Sequence, residues 1–411
     1  MKSPGANTAV ICGNNNEYIN ESVIKTIQNI GFVWEESSPK VKELILKFYF
    51  EKIFRPTDNF EKMKFFVTGS DAVEAAILVA KQVTKKKVIL SHSYAFHGWT
   101  HNACTCSDFP EFSRFVDEDG HYKRMSKTDT YYFEYPICTE CPYDKCYGNC
   151  DSNGELHCIS MLRKKIEEIG PQNIAAVFSD CILGLAAVIP PKEYISQFYS
   201  VIKEYGLLWI DDEIYSAFRL GRWFAYQEYD NIAPDILCFG KSLSNGITPI
   251  SGIALSKDVS KKLDNYKWQM CSSYAGNPIS LTAAYANLRF IEKNNLLDKV
   301  ACKEKIFFEL FSELKKKHPL IKGIHGKGMF WCIELNDIVN QKNRRFITAK
   351  GNTSTLSELR KICLENGLLI GGYVNNFIRI SPAITMTEQE IEKACEIFDR
   401  SLLSCYNNLK K

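Results

Sequence analysis

The stretch Ile236-Leu237-Cys238-Phe239-Gly240-Lys241-Ser242-Leu243-Ser244-Asn245-Gly246 decides the reading of this chain. Four apolar residues that stop at Gly240-Lys241 read as a short strand buried on both faces. A lysine at the end of such a strand is partly desolvated, which lowers its pKa and makes its amine a nucleophile. The plainer reading is a lysine that snorkels to solvent. Upstream, Leu207-Leu208-Trp209-Ile210-Asp211-Asp212-Glu213 is a second apolar strand, ending in three carboxylates. Alternation sends Asp212 and Glu213 to different sides, and acids at the end of a buried strand are costly without a cationic partner. A third strand end lies at Phe65-Phe66-Val67-Thr68-Gly69-Ser70-Asp71-Ala72. There Gly69 lets the backbone approach a ligand, Ser70 reads as the N-cap, and the free amides of a helix start make an anion site. This turn lacks the Gly-x-Gly-x-x-Gly spacing of a dinucleotide site. Taken singly, the three signals are a capped turn, a solvated acidic loop and a surface lysine. Together they place an anion cradle, an acid and a lysine at the ends of three strands, where open parallel sheets bind ligands.

The rest of the chain supports such a sheet. Further short apolar runs at Val88-Ser91, Ile174-Ser179 and Gly252-Ser256 alternate with helical stretches at Asp71–Val83 and Pro191–Tyr205, which predicts an α/β fold with a mostly parallel sheet covered by helices. The last third differs: a long helix over Leu281–Leu296, an amphipathic stretch Ala301–Lys317, a strand-like Gly328–Leu335 and a closing helix from Thr387 to about Leu403. At 411 residues the chain exceeds one ordinary core. We expect a short N-terminal segment (1–45), a large domain (46–290) with a Cys-rich insertion at about 104–158, and a small C-terminal α/β domain (291–411). Lys plus Arg is 51 against 48 Asp plus Glu, a formal charge of +3, so no face is built for nucleic acid. No apolar run approaches the roughly 18 residues of a membrane span, and Met1 to Val10 lacks the apolar core of a signal peptide. A cytoplasmic chain whose 16 cysteines are reduced is the expectation.

Six segments occur in the order of a known family: Thr68-Gly69-Ser70-Asp71-Ala72-Val73-Glu74, Phe96-His97-Gly98, Asp212-Glu213-Ile214, Pro234-Asp235-Ile236 with Gly240-Lys241, Ser273-Tyr274-Ala275-Gly276-Asn277-Pro278, and Ile378-Arg379-Ile380-Ser381-Pro382. From about Asn20 to Leu403 the chain resembles the class III (omega-type) aminotransferases, which are fold-type I pyridoxal-phosphate enzymes. The resemblance implies that Lys241 holds pyridoxal 5'-phosphate as a Schiff base and shuttles the substrate proton, while Asp212 keeps the ring nitrogen protonated. It implies that Gly69 and Ser70 bind the phosphate, that Phe96 stacks on the ring, and that His97 and Tyr215 complete the cofactor site. Ser273 falls where the family reaches the phosphate across a homodimer interface, and Arg379 where it binds a substrate carboxylate, a task suited to its planar fork. The partners implied are an amino donor and a keto or aldehyde acceptor.

Several positions depart from the family pattern. Only about twenty residues precede the matching segment, Asp180-Cys181 replaces a Glu-Pro, Leu185 stands where ornithine- and γ-aminobutyrate-type members carry a Glu, and Tyr215 replaces a Gln near the cofactor. The missing Gln and His97-Gly98-Trp99 resemble the aminomutase branch. The rivals to transamination are therefore an aminomutase, epimerase or decarboxylase using the same residues, and a non-catalytic binding subunit. Cys138-x2-Cys141-x4-Cys146-x3-Cys150, followed by His157 and Cys158, has zinc-like density. Reduced thiols packed in a loop are the expectation there, with no metal.

Overall fold

The computed structural model describes residues 8–34, 37–108, 114–116, 122–124, 129–138, 141, 143, 150–152, 154–184, 186–266, 270–336, 354–371 and 377–410. Fourteen strands are defined among them. The main sheet takes β1 (Phe60–Phe66), β2 (Val88–His92), β5 (Thr130–Phe133), β8 (Ile174–Ser179), β9 (Leu208–Asp212), β10 (Ile236–Phe239) and β11 (Ser251–Ser256). Between β2 and β8 lie two small antiparallel hairpins, β3 (Arg114–Val116) with β4 (Tyr122–Arg124) and β6 (Asp151–Ser152) with β7 (Glu155–Leu156). A second sheet, antiparallel throughout, runs β12 (Ile321–Lys327), β13 (Phe330–Leu335), β14 (Phe377–Ile380).

The main sheet has the order β1-β11-β10-β9-β8-β2-β5. Strands β10, β9, β8, β2 and β5 are parallel, and β11 is antiparallel to both β10 and β1. Every residue of β2, β8, β9, β10 and β11 is buried, because helices cover both faces. The period of two assigns each side chain its face. Ile236 and Cys238 of β10 join Leu208, Ile210 and Phe178 in the core under the helix Gly69–Thr84, whereas Leu237, Phe239 and Trp209 join the larger core on the other face. Asp212 therefore shares the face of the Gly69–Thr84 helix, and Asp211 points away from it.

The helix starts differ from expectation by a few residues, each for a local reason. Thr68, not Ser70, is the N-cap of the Gly69–Thr84 helix. Its hydroxyl accepts from the Asp71 amide at 3.2 Å and the Asp71 carboxylate accepts from the Thr68 amide at 2.9 Å. This reciprocal pair, typically worth about 1 kcal/mol per cap, shortens β1 to end at Phe66 and moves Ser70 into the first turn. Asn277 caps the helix Pro278–Lys293, with Pro at its first position, so that helix begins three residues before the predicted Leu281. The double proline at 190–191 delays the next helix to Tyr194–Glu204.

An N-terminal strap, Thr8 to Gly13, lies across the turn that follows β10. The Cys12 amide donates to Asn245 Oδ1 at 2.7 Å, and Asn245 Nδ2 donates to Gly13 O at 3.0 Å. Ser242 Oγ donates to Thr8 O at 3.1 Å. The other side of the strap is held by the segment after β14, where the Ile384 amide donates to Ile11 O at 2.8 Å. Ile11 is fully buried between them. Leu185, Cys146 and residues 1–7 lie outside the described residues. Among the described cysteines of the insertion, Cys138, Cys141 and Cys150 are free thiols of intermediate exposure.

Candidate active site

The carboxyl ends of β9 and β10 are side by side, with Asp212 level with Cys238 in the parallel register, three residues before Lys241. The three acids of this strand end separate completely. Asp212 Oδ2 accepts from His97 Nδ1 at 2.7 Å, and Oδ1 accepts from the Ile214 amide at 3.0 Å. The His97 ring lies flat on Phe178, with centroids 3.9 Å apart and planes 17° apart, which fixes the direction of its N–H. Asp211, on the opposite face, is fully buried, with Cys181 Sγ donating to it at 3.5 Å. Burial, with Glu213 and Asp180 nearby, raises its carboxyl well above the usual range. Glu213 is buried too, but accepts from the amides of Ala225 (2.6 Å) and Tyr226 (2.8 Å) and from Ser216 Oγ (2.8 Å). It anchors a loop, and burial lifts its carboxyl to about 7.

Lys241 sits just past β10 with φ +38°, a left-handed conformation that costs a non-glycine residue about 1–3 kcal/mol. Its side chain is solvent-accessible, yet the protein packed around it lowers the ammonium from 10.5 to about 8. Arg379 and Arg219 add to the lowering, and Asp212 opposes it. Accessibility and a lowered pKa together describe a lysine in an open crevice. In cofactor-free protein, acylation of Lys241 should follow deprotonation with a midpoint near pH 8. Mass-spectrometric labelling rates across pH measure this, and a midpoint in the ordinary lysine range, about 10.4, would contradict it.

The anion cradle is built from the same side. The Thr68 cap satisfies the Asp71 amide, and Thr68 O takes the Ala72 amide at 3.1 Å, leaving the first-turn amides of Gly69 and Ser70 pointing outward. A Cβ on Gly98, at φ +140°, would lie 2.4 Å from Ser70 Oγ, so only glycine lets the loop after β2 close on the helix start. That closure lets the Trp99 amide donate to Ser70 Oγ at 3.1 Å. Phe96, half-buried, sits edge-on to Trp99, with ring centroids 5.4 Å apart.

Arg379 projects from β14 over the Tyr215 ring at 4.6 Å, and Lys241 Nζ stands 5.2 Å from the same ring. Tyr215 is also packed on Phe330 at 4.7 Å, and its buried hydroxyl has no hydrogen-bond partner. Sequence reasoning missed Arg219. This guanidinium is fully buried, with Nε donating to Tyr215 O at 3.1 Å and Nη2 to Ser242 Oγ at 2.7 Å and to Thr8 O, while Nη1 is unpaired. Burial lowers it to about 10. No sequence signal marks it, because its partners come from residues 8, 215 and 242. Ser273 alone stands apart from this constellation, on the exposed stretch 271–274.

A flat, anionic, aldehyde-bearing cofactor fits what is present: an accessible amine of lowered pKa, a buried carboxylate oriented by a histidine, and outward amides at a helix start on the same face. Comparison with known proteins agrees. The class-III aminotransferase family model matches residues 5–402. The chain is 27% identical over 346 residues to the leucine/methionine racemase of Thermococcus litoralis, covering 83% of this chain and 73% of that protein. It is 27% identical to the acetylornithine aminotransferase of Archaeoglobus fulgidus, covering 82% and 74%. Among solved structures, an S-selective transaminase from Bacillus megaterium superposes with a TM-score of 0.89 at 28% identity, covering 97% of this chain and 87% of that one. With a family match from residue 5 to residue 402 and the strand-end lysine, carboxylate and anion cradle in place, the chain belongs to the class-III aminotransferases, whose cofactor is pyridoxal phosphate.

Proposed function

We propose that this chain moves an amino group between an amine or amino acid and a keto acid or aldehyde, with Lys241 as the attachment point of the cofactor. The observation that carries the reading is the shared placement of Lys241, Asp212 and the Gly69–Ser70 turn, on adjacent strand ends and one face of the sheet. Bound there, the cofactor supplies an electron sink for the pair left when the substrate loses its proton. The chain's own groups do the rest. Asp212, held by His97, keeps a negative charge opposite the ring nitrogen, Gly69 and Ser70 receive the phosphate, and Phe96 and Tyr215 flank the site. The Lys241 amine, with a pKa near 8, carries the proton to and from the substrate carbon. Arg379 receives a substrate carboxylate. The test is a screen of amino donors with a keto acid, following loss of the cofactor absorbance and formation of the new amine; a purified protein that no donor converts would refute the reading.

Transamination needs two substrates in turn, and one observation favours a second reading. The similarity to a racemase is as strong as that to an aminotransferase. Racemisation or epimerisation would invert one amino acid with no keto acid present, so chiral analysis of single amino acids separates the two.

The active unit in this reading is a homodimer with composite sites. The helix Glu17–Asn29 buries Ile19 and Val23 but leaves Ile24 (52%) and Ile27 (55%) exposed, and Phe32 (55%) meets Tyr274 (65%) edge-on at 6.0 Å. Such an apolar surface beside exposed Ser273 suits a self-complementary contact that completes each site from the other subunit. Ser273→Ala should weaken cofactor retention by about tenfold, the loss of one charge-assisted hydrogen bond. Mixing Lys241→Ala with Ser273→Ala subunits should restore activity in heterodimers that carry one intact site. A fully active monomer in sedimentation would exclude the arrangement.

A further inference from the structure

The guanidinium of Arg379 is half-buried and lies 4.6 Å from the centre of the Tyr215 ring, and among the described residues no carboxylate pairs with it. The acids nearby are committed elsewhere. Glu334, two residues beyond Cys332, the cross-strand partner of Arg379, pairs with Lys322 and stands 3.7 Å from His325. Asp212 accepts from His97 and from the Ile214 amide. Two further cations share the ring, Lys241 Nζ at 5.2 Å and the Arg219 guanidinium at 5.9 Å. The charge of Arg379 is felt by both and helps to lower both.

Tyr215 itself is held from several sides. Its ring packs on Phe330 at 4.7 Å, and its carbonyl accepts from Arg219 Nε at 3.1 Å. Gly184 lies so close that an added Cβ would stand 3.1 Å from Tyr215 Cβ. The hydroxyl is buried without a protein partner, so what Tyr215 offers Arg379 is the face of its ring. That face differs from an acidic partner in two ways. It attracts a cation without cancelling its charge, and it occupies none of the N–H donors. A carboxylate ligand can then take the planar fork without displacing a side-chain acid. A ligand that lacks a carboxylate leaves the charge uncompensated in a half-buried site, which is costly.

We propose that Tyr215 is a positioning residue whose ring holds Arg379 as a permanently charged carboxylate receptor, so that the site selects amino acids and keto acids over plain amines and aldehydes. The inference rests on Arg379 receiving the substrate carboxylate. It deepens that reading by naming the substrate class on both sides of the reaction.

The test treats the holoenzyme with phenylglyoxal, which modifies arginine, and quantifies the label on the Arg379 peptide by mass spectrometry as butyrate is added. Butyrate should protect Arg379. Butyramide, of the same shape without the charge, should not. Tyr215→Leu should move the protection midpoint about tenfold to higher butyrate, the loss of one partly desolvated cation–π contact. Tyr215→Phe keeps the ring and should stay within about twofold of the parent. Tyr215→Gln, polar and ringless, replaces the Leu variant if that fails to fold, with the same shift expected. With a donor that is turned over, the KM of an amino acid should rise with the midpoint in the ringless variants, while the KM of a plain amine stays put. An unchanged midpoint in the ringless variants, a Phe variant as weak as they are, or equal protection by butyramide overturns the proposal. A parent enzyme that butyrate does not protect would instead remove Arg379 as the carboxylate receptor and take the proposal down with it, a result distinct from protection that ignores the ring.

Discussion

Lys241→Ala should lower turnover by at least about 10⁴-fold, the upper end for a positioned acid–base group, because one side chain serves as both attachment point and proton carrier. The protein should still fold. Lys241 contributes no buried apolar packing, and its left-handed φ of +38° is a local cost rather than a support. Absorbance spectra and borohydride reduction followed by peptide mass spectrometry check this together. The variant should bind cofactor without a covalent link, and an adduct on a different lysine of the parent protein would show that the attachment point lies elsewhere.

Asp212→Asn should fold, keep part of its cofactor and lose turnover by on the order of 10³-fold, as when one preorganised electrostatic partner is removed. Asn preserves the size of the side chain, and its carbonyl oxygen can still accept from the Ile214 amide or from His97. What disappears is the negative charge. Asp211→Asn is the matched control. Burial holds the Asp211 carboxyl well above its usual range, and it lies on the opposite face of the sheet from the Gly69–Thr84 helix, so Asn there leaves the charge on the Asp212 face untouched. The control should keep nearly full rate. A near-normal Asp212→Asn beside a dead Asp211→Asn would show the two carboxylates assigned the wrong way round.

Alternation was read from the sequence for Asp212 and Glu213, and the same period of two separates Asp211 from Asp212 along β9, so this much needs only the strand itself. The same holds for β10 and its lysine. The apolar run Ile236–Phe239 is short, buried and stopped by Gly240, and the structure ends the strand at Phe239. Boundaries set by reciprocal side-chain bonds were harder. Thr68 and Asp71 form a Thr-x-x-Asp box, yet Ser70 beside them looks an equally good cap. The strands β5 and β12 were missed: Thr130–Phe133 alternates in burial at the sheet edge, and Ile321–Lys327 carries two glycines, so neither shows a buried apolar run. Arg219 left no trace in the sequence. It draws its meaning from Thr8, Tyr215 and Ser242, brought close only by the fold, and a single Arg in an apolar neighbourhood is most often just core.

The strap across the Lys241 turn has a consequence for the order in which the molecule is made. Cys12 leaves the ribosome long before its partner Asn245, which lies 233 residues downstream, and Ile384 follows later still. At about 5–20 residues per second, the first segment waits roughly 10–50 s for the turn it will cover. During that interval Ile11 and Cys12, buried in the finished protein, have nothing of their own to lie against. The turn that carries Lys241 is thus crossed by a segment made well before it, and that segment is held from its other side only once Ile384 has been made.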